Sequence, residues 1–342
     1  MKVSICFLGT GSINKKHVRL LRNFFPRIQI SVASRDLSRA KAFKERYHLD
    51  DCFGSYESAI ESAFSVIVIG LPPKYHFDLV SKILACGKHM LIEKPIFNSL
   101  HEFNKLWPSL KQYSGFVMVL ENQFFDPFHK RIKNLLEKHD FGKPLFLELT
   151  RLGHNKLEGW RNDPSEMLLG AFHEGGVHWI RKLLDIAAIY ESDPYHGILG
   201  VTAYCPQISL TNTPGEDTMM VMARHRSGLV SRLFHSWGIP KRTGFMDLSK
   251  ILMEKGAIYF NSRGIIGICF GRKTRILWPS FRDSSGYKAM WKHLIECIEN
   301  DKSPALTLED IYFDFLFMDA AYRSIKTQRE VLLGEIPTNH HA

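Results

Sequence analysis

The sequence predicts an α/β chain: a doubly wound parallel sheet at the amino-terminal end, followed by an α+β domain with a mostly antiparallel open sheet. Three observations carry this. Apolar runs at 3–8, 28–34, 64–70, 89–92 and 116–120 alternate with stretches of helical periodicity, the order that βαβ units require. Those runs are almost continuously apolar, as strands covered on both faces are. After residue 190, strand-like runs follow one another with hairpin-type breaks instead, the pattern of an antiparallel sheet.

A length of 342 residues suits two domains better than one. The change of pattern places them at 1–121 and 122–342. Apolar content of 45% with 23% charged residues is that of a soluble globular chain. No apolar run is long enough to cross a bilayer, and Lys2 precedes a strand-like run rather than a signal-peptide core. The expected location is the cytoplasm. The six cysteines are scattered without paired spacing, so they read as reduced thiols and neither a disulfide frame nor a metal site is expected. A net charge of +10 attracts anions. No dense Lys/Arg stripe or nucleic-acid motif accompanies it, so small phosphorylated ligands are expected rather than nucleic acid.

The first element, 3–8, stops at Gly9. Gly9-Thr10-Gly11 follows, and Ile13, Val18, Leu21 and Phe24 then recur at helical spacing. Strand, glycine turn and helix in this order make a dinucleotide site. Gly9 makes the turn, and Gly11 lacks the Cβ that would block a pyrophosphate. The N–H groups opening the helix at Ser12 and Ile13 face the phosphates. Asn14 stands where a third glycine is usual.

The second strand, 28–34, ends at Ser34, with Arg35 and Asp36 next. NAD-specific sites carry an acidic residue at this tip. Here a hydroxyl and a guanidinium suit a 2′-phosphate, and Asp36 is placed to cap the helix through Ala40, Phe43 and Tyr47. NADP is therefore the expected cofactor, with NAD the alternative; an ordinary surface role for Arg35 stays open. The strand 64–70 leads into Leu71, Pro72 and His76, at the sheet edge where ligands bind in such folds. A helix from about residue 77 closes at Gly87. The strand 89–92 ends in Glu93-Lys94-Pro95, Ser99 and Glu102 have capping-box spacing, and 116–120 ends in Glu121-Asn122.

In the second half, 127–139 reads as a helix and 144–151 as a half-buried strand. Gly159-Trp160-Arg161 lies in a loop, and 176–190 is a helix with Val177, Ile180, Leu183, Leu184 and Ala187 inward. Strands are expected at 197–207, 218–225, 228–237 and 250–260, with shorter ones at 264–270 and 275–278. Residues 286–300 and 307–328 are closing helices. Met220 and Met222, like Leu229 and Leu233, alternate as one face of a sheet does.

The pieces GTGSINKKH at 9–17, Pro72-Pro73 with His76, 85–95 ending in Glu93-Lys94-Pro95, Gly159-Trp160-Arg161 and EGGVHWI at 174–180 together resemble the glucose–fructose oxidoreductase and inositol dehydrogenase family, Gfo/Idh/MocA, over most of the chain. The resemblance implies a Rossmann domain and a nicotinamide-dependent oxidoreductase acting on a secondary alcohol or ketone of a sugar, a cyclitol or a nucleotide sugar. It implies that Lys94 lies near the nicotinamide and substrate, and that Glu93, Leu71, Pro72, His76 and Asn122 border the cofactor. The family's Asp-x-Gly-x-His aligns with Glu174 to His178, making His178 the general acid/base and placing Glu174 where the aspartate stands. Trp160 and Arg161 would border the substrate, and the free sheet face would meet another subunit in a homo-dimer or homo-tetramer.

The residue types suit that chemistry. Imidazole accepts a hydroxyl proton near neutral pH, and an ammonium stabilises a developing alkoxide. Bland readings remain beside these: His178 bonded to backbone, Glu174 as a helix-start charge, and Trp160 as a structural ring with Arg161 packed on it. The departures are Glu174 for Asp, Arg181 where the family often has Asp, and Leu168-Leu169-Gly170 with only its last glycine. A non-catalytic NADP-binding regulator or assembly protein, or a reductase of a non-sugar such as a dihydrodiol dehydrogenase, are the rival readings.

Overall fold

The structure is a computed structural model that describes residues 3–155, 157–193, 197–239, 247–261, 264, 266–278 and 283–333. The chain forms two units: one up to Glu121 joined by Tyr287–Leu308, the other Asn122–Gly286 with the chain from Glu309.

In the first unit the apolar runs become β1 (Ser4–Leu8), β2 (Gln29–Ala33), β4 (Val66–Ile69), β5 (His89–Ile92) and β6 (Val117–Val119). The helices α1 (Ser12–Phe24), α2 (Leu37–Tyr47), α4 (His76–Leu84) and α5 (Leu100–Lys111) connect them. Between Tyr47 and Phe64, where the sequence pattern shows no element, lie β3 (Asp51–Phe53) and α3 (Tyr56–Glu61). Three residues are too few to display a period. All strands are parallel, in the order β3-β2-β1-β4-β5-β6. The order reverses between β1 and β4, so a crevice opens at their carboxyl ends. Leu8 is in register with Ile69 there, which brings Gly9 beside Leu71. Two caps form as their spacing requires. Asp36 accepts from Ser38 and Arg39 N–H groups at the start of α2. At α5, Ser99 accepts from Glu102 N–H, and Glu102 reaches back to Asn98 N–H at 2.9 Å.

One part of the range expected for the second domain, 122–342, falls elsewhere. The helix Tyr287–Glu299, α8 in chain order, belongs to the first unit. Its Trp291 is fully buried against Phe7 and donates to His17 on α1. An amphipathic helix goes where its apolar face is covered, and that is not readable from its place in the chain.

The second unit is built on a nine-stranded sheet. It contains α6 (Pro127–Lys138), β7 (Pro144–Leu152), α7 (Val177–Ala187), β8 (Ile198–Tyr204), β9 (Thr218–His225) and β10 (Val230–Ser236). After them come β11 (Leu248–Met253), β12 (Gly256–Asn261), β13 (Gly267–Phe270), β14 (Arg275–Leu277), α9 (Leu308–Thr327) and β15 (Val331–Leu332). The strand order is β14-β13-β12-β11-β7-β10-β9-β8-β15. All pairs are antiparallel except β7 with β10. The run 250–260 is two strands, not one: β11 and β12 form a hairpin that closes with Met253 opposite Gly256. The helix expected to begin at 176 begins earlier, as a π turn over Phe172–Gly176 that flows into α7.

One face of this sheet is covered. Leu147, Val221, Leu233 and Ile258 are fully buried, α7 lies on β7 and β10, and Ser324 of α9 accepts from Ala203 N–H of β8. The other face is open. The register runs Met222, Arg232, Glu148, Lys250, Tyr259, Ile268 across six strands. Arg232 and Lys250 both pair with Glu148, at 2.6 and 3.0 Å. Met222 belongs to this open face, whereas Leu229 and Leu233 are buried opposite. No helix among the described residues is long and apolar enough to cross a membrane.

Candidate active site

The two glycines after β1 do different work. Gly9 has φ +100°, and a Cβ there would lie 2.8 Å from Leu71 Cδ2 and 3.2 Å from Gly70 O; the turn and the protein's own packing require glycine. Gly11 has φ −71° and ψ 176°, open to any residue, and a Cβ there would meet no protein atom within 4 Å. Helix α1 begins here with no side-chain cap and no acidic residue in its first turn. The N–H groups opening it are thus left for an anion. This end of the sheet fits a dinucleotide pyrophosphate.

Asn14 is what the sequence pattern reads only as a missing glycine. It is fully buried, and its Nδ2 donates to Leu8 O at 2.9 Å and Gly9 O at 2.8 Å. It therefore ties α1 to the end of β1. The room comes from Gly70, where a Cβ would fall 1.8 Å from Asn14 Oδ1. The signal for this was the glycine ending the 64–70 run.

At the tip of β2, Ser34 Oγ accepts from Asp36 N–H at 3.3 Å. Asp36 Oδ1 accepts from Ser38 Oγ at 2.6 Å and Ser38 N–H at 2.8 Å. Those bonds, the Ser38 hydroxyl first, hold its carboxyl below the usual range. The Arg35 side chain is exposed, with its guanidinium 5.4 Å from the Tyr75 ring centre. It also hydrogen-bonds the Tyr56 phenol, whose pKa burial raises.

Two of the expected cofactor residues turn inward. His76 is fully buried, with Nδ1 3.0 Å from Ile96 O and Nε2 2.9 Å from Leu71 O. It braces the segments at Leu71 and Ile96 rather than presenting an edge to a ligand. Glu93 is 6% exposed; Oε1 lies 2.7 Å from His17 Nε2, and Oε2 accepts from Lys94 N–H at 3.2 Å. Pro72 begins the turn into Pro73–Tyr75. Lys94 is half-buried at the carboxyl end of β5, before a cis peptide to Pro95. Asn122 falls in the second unit and donates to Ser285 O at 2.6 Å.

In the second unit, the π turn carries Glu174 and leads directly to His178, half-buried in the first turn of α7. Glu174 is 3% exposed and pairs with Arg161. The Arg161 guanidinium lies 4.6 Å from the Trp160 ring centre. Trp160 packs with Leu157 on Met167, Ala171 and Trp237. Trp160, Arg161 and Glu174 are thus brought together, with the Trp160 ring partly buried.

Glu216, which no sequence motif marks, holds the start of the turn. Its Oε1 accepts from Phe172 N–H at 2.8 Å and from the Tyr322 hydroxyl at 3.0 Å, and burial pushes its carboxyl up. Gly170 packs on it, and Gly175 lies so close to Trp237 that a Cβ would come within 2.7 Å of Nε1. Arg181 is 4% exposed and lies 3.3 Å from Asp314 and 3.4 Å from Asp310, both on α9. That departure therefore belongs to a buried ion pair between helices. Among the described residues, no group of three or more His, Cys, Asp or Glu is placed to hold a metal ion.

Residues 3–121 match the model of an oxidoreductase family with an NAD-binding Rossmann fold, Gfo/Idh/MocA. Over 338 residues the chain is 30% identical to the trans-1,2-dihydrobenzene-1,2-diol dehydrogenase of Xenopus laevis, covering 95% of this chain and 98% of that one. The chain belongs to the Gfo/Idh/MocA family. Within that family it is also 21% identical over 343 residues to the myo-inositol 2-dehydrogenase of Thermotoga maritima, covering 96% and 98% of the two chains. The alignment with the YrbE oxidoreductase of Bacillus subtilis is 26% identical and covers 42% of either chain. A levoglucosan dehydrogenase solved with NADH and levoglucosan superposes with a TM-score of 0.82 at 19% identity, over 98% of this chain and 100% of that one. Membership of this Gfo/Idh/MocA family makes the chain a nicotinamide-dependent oxidoreductase with a Rossmann domain and a mostly antiparallel second sheet.

Proposed function

We propose that the protein is an NADP-dependent dehydrogenase or reductase working on a secondary alcohol or ketone of a sugar-like polyol. The observation that carries the nucleotide site is Gly11: a glycine that neither backbone nor packing requires, at an uncapped helix start. Arg35 supports NADP, because Asp36, the residue that would accept from ribose hydroxyls, already serves α2, and a guanidinium bonds a 2′-phosphate through paired N–H groups.

When bound, the nicotinamide accepts or donates the hydride. Lys94, at the sheet edge where ligands bind, holds a positive charge toward the reacting oxygen and stabilises it as it becomes alkoxide-like. His178 takes the hydroxyl proton in oxidation and returns it in reduction. Glu174 is not a free base, because Arg161 holds it; it orients Arg161 over Trp160, and together they present one cationic edge and one ring edge to substrate.

A second reading concerns the substrate: a non-sugar trans-diol. The end-to-end similarity to a dihydrodiol dehydrogenase favours it, as do the aromatic rings Trp237, packed against Gly175, and Trp160, beneath Arg161. A panel of NADP+ with polyols, cyclitols, nucleotide sugars and a trans-dihydrodiol decides between them. Stereospecific NADPH formation is expected with one class; none with any class would favour the non-catalytic regulator. We also propose a cytoplasmic location. A second copy of this chain covers the open sheet face, whose apolar flanks surround the Arg232–Glu148–Lys250 cluster.

A further inference from the structure

We infer that His17 and Trp291 are positioning residues for Lys94, acting through a hydrogen-bond relay of fixed direction. An indole N–H only donates. Trp291 Nε1 lies 2.9 Å from His17 Nδ1, so that nitrogen is the acceptor. The imidazole proton therefore sits on Nε2, which donates to Glu93 Oε1 at 2.7 Å. Glu93 Oε2 in turn accepts from the backbone N–H of Lys94 at 3.2 Å. The relay starts on α8, passes through α1 and ends on the first atom of the lysine.

Its surroundings keep it dry. His17 is fully buried, enclosed by the rings of Phe7, Tyr287 and Trp291 at 6.3, 5.5 and 5.5 Å. Lys16, whose ammonium lies 3.6 Å from the Tyr287 ring centre, adds a positive charge near the Glu93 carboxylate. The last strand-to-strand bond before the site is Glu93 N–H to Ile69 O at 3.0 Å. One residue further, the chain leaves the sheet, and the Glu93 carboxylate takes over as anchor of the Lys94 amide. Groups held this way keep a reacting side chain in place, where a displacement of about 1 Å costs roughly a hundredfold in rate.

This inference rests on the reading of Lys94 as catalytic, so two of its readouts do not use turnover. Nitrogen NMR of the labelled protein is expected to show His17 with Nε2 protonated and Nδ1 bare, and Trp291→Phe to move the Nδ1 resonance, which loses its donor, while Nε2 stays protonated against Glu93. Hydrogen exchange at the Lys94 amide is expected to speed up about tenfold or more in His17→Phe and to return towards wild type in His17→Gln, which keeps an N–H donor. With the alcohol that gives turnover in the panel, Trp291→Phe should lower kcat about tenfold and leave the substrate KM and NADPH affinity near wild type. A His17 proton on Nδ1, or unchanged Lys94 exchange in His17→Phe, would overturn the relay. Faster exchange with wild-type kcat would overturn the positioning role. Full turnover in Lys94→Met would instead overturn the functional reading and leave the two spectroscopic results to judge the relay.

Discussion

Replacing Gly11 by Asp separates what this residue does for folding from what it does for the ligand. The backbone at 11 is extended, φ −71° and ψ 176°, the geometry of a helix N-cap. A side chain there meets no protein atom within 4 Å, so nothing must shift to admit one. An aspartate can accept from the uncapped N–H groups of α1. Capping contributes a few tenths of a kcal/mol over glycine, and the helix dipole adds about 0.3–1 kcal/mol. The ligand-free protein should therefore gain about 1 kcal/mol, or roughly 1–2 °C in Tm for a chain of 342 residues. The same carboxylate occupies and repels the pyrophosphate position, so NADPH affinity should fall at least about a hundredfold, near 2.8 kcal/mol. The control is Gly9→Ala, which must fit a Cβ 2.8 Å from Leu71 at φ +100°; it should lower the ligand-free Tm. Thermal melts and fluorescence titration with NADPH read both quantities. Wild-type NADPH affinity in Gly11→Asp would refute the reasoning, as would equal destabilisation by the two variants.

Other expectations concern separate parts of the molecule. Arg35→Ala should weaken NADPH by about ten- to a hundredfold, the worth of a charge-assisted phosphate contact, and leave NADH nearly unchanged in the same titration; equal losses would remove the 2′-phosphate assignment. Burial holds the His225 imidazole down at about 4 from its usual 6.5, so below pH 6.5 the unfolded chain binds a proton that the folded one does not. That stability is complete above about pH 6.5 and about 3 kcal/mol of it is lost as pH falls to 4; denaturation of His225→Gln should show a shallower fall over this window. Ile268→Glu on the open sheet face should shift sedimentation of the protein towards monomer, and an unchanged profile would count against that face as the subunit contact.

The doubly wound half was legible because its strands are buried on both sides and their apolar runs stand out against the helices. Asp51–Phe53 and Tyr56–Glu61 were not, because neither is long enough to show a period. The strand pair across Glu254 merged into one run because both strands share an inward face. Near the carboxyl ends of β1 and β2, the turn at Gly9, the open position at Gly11 and the cap at Asp36 were readable from spacing. The inward turn of His76 and Glu93 was not: a histidine or carboxylate near a sheet edge looks the same in sequence whether it faces a ligand or a buried partner. Asn14 looked like a defect until Gly70 supplied its space. Glu216, Trp237 and Trp291 act from distant positions, and only the folded chain brings them to the turn at 172–176 and to His17.

The central claim is that Lys94 serves the chemical step and not nucleotide binding. Single-turnover hydride transfer by Lys94→Met, at saturating NADPH and compared with wild type, tests it most directly. The account predicts NADPH affinity within about twofold of wild type and a transfer rate lower by about a hundred- to a thousandfold, the cost of removing one group that stabilises the developing oxyanion. Wild-type transfer in that variant would contradict it.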